Sequence, residues 1–141
     1  MLFFQDVSDN VEKIYYALKH FKNLWIHTRP LCKSFDMKIL TLVTESEANY
    51  VRGVTNNSIS SLDRFYYIGG MAGTIGSTTD WFWITSENKI SYPISRGNGE
   101  PSGGEERCLS ILAYWGDYKF NDGRCTTTES NFMCQKEIIK F

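Results

Sequence analysis

The chain has 141 residues, enough for one domain with a real hydrophobic core. Its net charge of −1, with Lys and Arg scattered among acids, excludes any electrostatic case for nucleic acid or an anionic membrane surface. Aromatic content is high at 15%, and no apolar run approaches the roughly 20 residues that cross a bilayer, so membrane insertion is not expected.

The opening Met1-Leu2-Phe3-Phe4 is too short for a signal-peptide core and lacks a basic lead, so a secreted protein would be represented here in its mature form. Residues 1–13 read as an N-terminal segment and 14–141 as one domain. Ile14 to Leu18 is the first expected strand. From Leu24 to Phe35, Trp25, Leu31, Cys32 and Phe35 recur at helical spacing. Pro30 conflicts with that helix, since it lacks an amide donor and clashes with the preceding turn. Either the helix starts late with Thr28 as its cap, or its front end is irregular.

Ile39 to Val43 is a short apolar strand. Thr44-Glu45-Ser46-Glu47 then forms a capping box, in which Thr44 and Glu47 each satisfy the other's amide. The helix it opens is predicted to end near Val54, ahead of the Asn56-Asn57-Ser58 turn signal. Phe65 to Gly69 is a buried strand, Gly70 to Asp80 a glycine-rich loop, and Trp81-Phe82-Trp83 another short strand. Thr85 to Arg107 is almost all Ser, Asn, Gly, Glu and Pro, and so long a loop in a compact domain is most often functional. Leu109 to Trp115 and Phe132 to Ile138 are the last strands. This order of elements implies an α+β domain.

Cys32, Cys108, Cys125 and Cys134 contain no C-x-x-C pair, which argues against zinc-ribbon and thioredoxin-like sites. Four cysteines allow three connectivities, and spacing does not choose among them. The even count favours an oxidised, extracellular protein over four buried thiols. Asn56 heads an N-glycosylation triplet, in weak agreement with secretion.

The stretches Gly99–Cys108 and Asn121–Cys125 place several oxygen donors, carboxylates among them, close together in the chain. Oxygen donors without a nearby His or thiolate suit a hard cation such as Ca²⁺, which takes six to eight such ligands. A loop-bound Ca²⁺ with unfilled coordination can recognise the vicinal hydroxyls of a sugar.

Taken together, these residues resemble a C-type lectin-like domain over about residues 14–138. Trp25 precedes Cys32 by seven positions, as at the start of that family's first helix. Tyr67-Ile68-Gly69-Gly70 is similar to its W-I-G-L motif, and Trp81-Phe82-Trp83 to its W-x-W segment. Glu100-Pro101-Ser102 stands where the family carries Glu-Pro-Asn or Gln-Pro-Asp, Phe120-Asn121-Asp122 where it carries Trp-Asn-Asp, and Phe132-Met133-Cys134 where it carries Phe-Ile-Cys.

The resemblance implies a fold of two helices with small antiparallel sheets and a long calcium-binding loop. It also implies disulfides Cys32–Cys134 and Cys108–Cys125. The second would close a loop of about eighteen residues and contribute about 3 kcal/mol on the chain-entropy model. By the same resemblance, Glu100, Ser102, Glu106, Asn121 and Asp122 form the Ca²⁺ and carbohydrate site, with the Asp122 carbonyl as a further ligand. In the family the peptide before the motif's proline, here Pro101, is cis, a specific device because such bonds are infrequent. Ser102 departs from the family's Asn: it is shorter and offers a hydroxyl, which favours contact through water and weaker Ca²⁺ binding. Glu100 rather than Gln leans the site toward mannose, fucose or glucose over galactose. Arg107, where an acid usually stands, argues against an accessory ion.

Trp25, Tyr67, Trp81, Trp83 and Phe120 read as core aromatics, and Trp115 as core or edge packing. Glu105 reads as a solvated neighbour of Glu106, and His20 and His27 as ordinary surface or half-buried histidines. A glycosidase using Glu100 and Glu106 is not expected, because two glutamates in one metal-holding loop need no such explanation. The competing readings are a secreted lectin for microbial or cell-surface glycans and a lectin-like domain recognising a protein partner. The weak affinity of single lectin sites makes oligomerisation an expected source of avidity.

Overall fold

The computed structural model describes residues 2–58, 65–75, 78–92, 106–114 and 117–140. The chain opens with an antiparallel pair, β1 (Leu2–Ser8) and β2 (Val11–Leu24). Residues 2–8 and 11–13 thus belong to the sheet, and Phe3 is buried between the exposed Leu2 and Phe4. The Leu-Phe-Phe run hides the alternation, since only the central residue of the three faces the core.

α1 (Trp25–Ser34) starts directly after β2, earlier than a Thr28 cap would allow, and Pro30 lies inside it. The Thr28 hydroxyl instead donates back to the Trp25 carbonyl at 2.7 Å. Trp25, Thr28 and Cys32 make the buried stripe, at i, i+3 and i+7. The helix ends in a Schellman turn: Met37 N–H bonds the Cys32 carbonyl, Asp36 N–H bonds that of Lys33, and Asp36 takes φ 58°.

The expected strand from Ile39 to Val43 shortens to β3 (Lys38–Ile39). Leu40, Thr41 and Leu42 stay buried without extending the ladder regularly, because the Gln135 side chain accepts the Thr41 amide at 2.8 Å. The capping box forms: Glu47 N–H donates to Thr44 Oγ1 at 3.2 Å and Thr44 N–H to Glu47 Oε2 at 2.8 Å. α2 (Glu45–Ser58) runs through the Asn56-Asn57-Ser58 signal rather than stopping at Val54. Asn56 therefore sits in its last turns.

In the expected loop from Gly70 to Asp80, the described residues, 70–75 and 78–80, are strand. β4 (Phe65–Ile75) continues through Gly69, Gly70 and Gly73 and pairs antiparallel with β5 (Thr78–Trp83). Gly69 and Gly70 serve close approach: a Cβ would lie 2.8 Å from the Leu40 carbonyl oxygen at one and 2.6 Å from Leu109 Cδ2 at the other. Of the polar stretch beginning at Thr85, residues 85–92 are described and are tied to β5. Residues 84–86 turn, Lys89 bridges to Phe82, Ile90 N–H bonds the Trp81 carbonyl, and Ile90 is buried.

β6 (Glu106–Tyr114), β7 (Asp117–Arg124) and β8 (Glu129–Ile139) complete the fold. β7 is a strand that the sequence reading did not assign. The strands form one sheet in the order β1-β2-β8-β4-β6-β7, with β3 on β8 and β5 on β4. Among the described residues only β4 and β8 pair parallel, through Tyr66–Asn131 and Tyr67–Phe132. One core cluster lies under α2, around Tyr15, Leu40, Val51, Tyr66 and Trp83. A second gathers Trp25, Ile39, Tyr67 and Phe132 around Cys32, Cys108 and Cys134.

Candidate functional site

The disulfides are Cys32–Cys134 and Cys108–Cys125. The first fastens α1 to β8. The second joins β6 to the chain just past β7, whose Cys125 carbonyl also accepts the Ile26 amide at 3.2 Å. The front of α1, the second bridge and the end of β7 are therefore one connected unit.

Tyr67, from the motif resembling W-I-G-L, supports the same corner. It is 2% exposed, and its hydroxyl lies 2.6 Å from the Thr128 carbonyl and 3.1 Å from that of Arg124. The phenol's one proton thus lies between main-chain acceptors on both sides of Cys125, with Thr128 the nearer. Trp25 contributes from the other flank, its indole N–H donating to the Ile68 carbonyl at 2.8 Å. Trp25, Tyr67, Trp83 and Phe120 are buried, and Trp81 packs partly buried against the first core cluster.

Of the residues expected to bind Ca²⁺ and sugar, Glu106 opens β6, and Asn121 and Asp122 lie consecutively on β7. In the ladder Glu106 is opposite Arg124, Leu109 opposite Asp122, and Ser110 opposite Asn121. Asn121 and Asp122 are thus strand residues rather than loop residues, held by a ladder that the Cys108–Cys125 bridge closes. Glu100 and Ser102, with Pro101 and Glu105, lie outside the described residues, as does Trp115. Among the described residues no three His, Cys, Asp or Glu side chains converge to hold a metal. The donor chemistry of the five residues, carboxylates with an amide and a hydroxyl, fits Ca²⁺ and not zinc. His27 is exposed, its Nδ1 lying 3.1 Å from Asn23 Oδ1.

Two features escaped the sequence reading. The chain after β5 is fixed to the core by Tyr92, whose hydroxyl donates to the Leu42 carbonyl at 2.6 Å. Burial, reinforced by the charges of Glu47 and Glu45, pushes that hydroxyl's ionisation above its ordinary range. Glu47 itself is buried against Lys13 at 2.8 Å. The Thr44–Glu47 spacing identified the cap, but nothing local pairs Glu47 with a lysine on β2.

No protein-family model matches the chain. It is 28% identical over 127 residues to mouse C-type lectin domain family 6 member A, covering 88% of this chain and 56% of that protein. To rat C-type lectin domain family 4 member A it is 23% identical over 130 residues, covering 89% and 50%. The chain spans about half the length of these relatives. Among solved structures, the C-type lectin domain of murine dendritic cell inhibitory receptor 2, in complex with N-glycan, superposes with a TM-score of 0.73 at 19% identity over 96% of both chains. SPL-1 in complex with GlcNAc gives 0.68 at 21% over 94% of this chain and 91% of that one. Herring type II antifreeze protein gives 0.65 at 18% over 96% of both. The fold is the C-type lectin fold, with two helices, a sheet and two disulfides.

Proposed function

We propose that this chain is a Ca²⁺-dependent carbohydrate-binding domain working outside the cell, with Glu100, Ser102, Glu106, Asn121 and Asp122 as metal and sugar ligands. The observation that carries this reading is the C-type lectin fold joined to an oxygen-only donor set at the sequence positions where that fold's sugar-binding members keep theirs. Structural neighbours solved with N-glycan and with GlcNAc support it, and two disulfides support an oxidising compartment.

Ca²⁺ at this site supplies electrostatic attraction for a pair of vicinal hydroxyls. The chain's own residues orient the sugar: carboxylates at Glu100 and Glu106 accept hydrogen bonds from hydroxyls, and the Asn121 amide donates one. Glu100 leans the preference toward mannose, fucose and glucose-type sugars of microbial or cell-surface glycans, and Ser102 lowers the affinity for the metal. A single site of this kind is weak, so oligomers would supply avidity.

The second reading is a lectin-like domain that has lost sugar and recognises a protein. Ser102 and Arg107 favour it, as does the appearance of the same fold in an antifreeze protein. Isothermal calorimetry of metal-stripped protein, titrated with Ca²⁺ and then mannose, fucose and galactose, separates the two. Sugar heat only in the presence of Ca²⁺ supports the lectin. Silence toward both Ca²⁺ and sugar overturns it in favour of the protein partner.

A further inference from the structure

The last residues of β8 have an open edge. One side of β8 pairs with β2 out to Ile139. The other side pairs with β4 at Asn131 and Phe132, then with β3 at Cys134 and Gln135. No strand among the described residues continues this second ladder past Gln135. The reason is local: the chain entering β3 comes from the Schellman turn at Asp36, which directs it back toward α1 instead of along Lys136.

The parity of the ladder says which groups are left over. Leu40 N–H donates to the Met133 carbonyl at 3.1 Å, and Lys38 lies opposite Gln135. In an antiparallel strand a residue's N–H and C=O point the same way and alternate along the chain. Odd-numbered residues of β8 therefore face the β3 side, and Glu137 and Ile139 present their amides and carbonyls to the open edge.

A groove of about 570 Å³ follows this edge, lined by β8, by Arg29 and Lys33 of α1 and by Lys38 of β3. Lys136 is engaged with Asp36 at 3.1 Å. Arg29, Lys33 and Lys38 are exposed and have no ion-pair partner among the described residues. They outnumber the carboxylate left in the groove, that of Glu137. Gln135, 3% exposed, lines the groove and spends its carbonyl oxygen on the Thr41 amide.

We propose that this edge receives an extended acidic peptide segment as an added strand. The peptide main chain would pair with Glu137 and Ile139, and its carboxylates would meet Arg29, Lys33 and Lys38. Such strand addition draws affinity from main-chain hydrogen bonds and specificity from alternate side chains. A sulfated sugar would satisfy the cations but could not continue the ladder, so the free main-chain groups favour a peptide. None of the residues assigned to Ca²⁺ takes part, and the two sites are independent.

The test is fluorescence anisotropy of the intact chain with a short labelled peptide of alternating valine and glutamate. Controls are the same peptide with every valine replaced by proline, and a sulfated heparin disaccharide as competitor. The valine peptide binds, EDTA leaves its affinity unchanged, and the proline peptide fails. The double variant Arg29→Glu, Lys33→Glu weakens binding by about tenfold, two exposed charge pairs being lost. Ile139→Pro removes an amide that has no native ladder partner, so it blocks binding with an unchanged circular dichroism spectrum. Absence of binding by the valine peptide, equal binding by the proline peptide, or full displacement by the disaccharide overturns the proposal.

Discussion

Lys13 Nζ lies 2.8 Å from Glu47 Oε1, with both side chains almost wholly excluded from solvent, at 2% and 5% exposure. The ammonium also donates to the Thr41 carbonyl at 2.8 Å, while the other carboxylate oxygen accepts the Thr44 amide. One carboxylate therefore caps α2 and fastens it to β2. Removing one partner strands a buried charge, at a typical cost of 3–5 kcal/mol, whereas removing both costs less. Lys13→Met should lower stability by about 3 kcal/mol in urea titration, and Lys13→Met with Glu47→Gln should be less destabilising than the sum of the two single changes. Additive single effects would show that the pair does not interact.

The glycines offer a test with opposite signs. At Gly69 a Cβ would meet the Leu40 carbonyl oxygen at 2.8 Å, the same oxygen that accepts the Gly69 amide. Main chain cannot swing aside, so Gly69→Ala should destabilise by about 2 kcal/mol or more. Gly53 lies in α2 with nothing within 4 Å of a built Cβ. Gly53→Ala should stabilise by about 1 kcal/mol through helix propensity. Thermal melts of the two variants should move in opposite directions, and a parallel shift would contradict this packing.

Features set within a few residues were legible in the sequence. Thr44 and Glu47 announce their cap because both partners lie in one turn, and Trp25 and Cys32 mark the buried face of α1 by spacing. Gly70 misled because glycine reads locally as flexibility. Its actual role depends on Leu109, which arrives from a distant part of the chain. β7 was missed because Asn121-Asp122-Gly123 looks like a turn, although Phe120 just before it is buried against the first core cluster. The candidate ligands stood out by residue type and order, while the groove along β8 is built by α1, β3 and β8 together and leaves no pattern in any one segment.

Alkaline pH should probe the core through Tyr15. Its hydroxyl donates to Gln5 Oε1 at 2.8 Å, and burial, seconded by the Glu47 charge, pushes its ionisation far above the ordinary range. Because the folded pKa is raised, the contribution is complete below the unfolded value, near 10, and is lost as pH rises beyond it. Each pH unit above that point should cost about 1.4 kcal/mol for this residue. Stability measured by urea titration between pH 9 and about 11.5 should fall accordingly, and Tyr15→Phe should flatten the slope. An unchanged slope in that variant would assign the alkaline loss to other groups.

The two disulfides should separate stability from metal binding. Cys32–Cys134 spans a sequence separation of 102 and Cys108–Cys125 one of 17. On the chain-entropy model the longer closure contributes about 4.7 kcal/mol and the shorter about 3. Replacing Cys32 and Cys134 by alanine should therefore lower the melting temperature more than replacing Cys108 and Cys125. The shorter bridge closes the ladder that carries Glu106, Asn121 and Asp122. On the proposed function, its loss should weaken Ca²⁺ binding in a domain that remains folded. Asp122→Ala with both bridges intact should abolish Ca²⁺ binding without a comparable fall in melting temperature. Calorimetry beside thermal melts of these three variants checks the pattern, and a normal calcium isotherm in Asp122→Ala would remove that residue from the metal site.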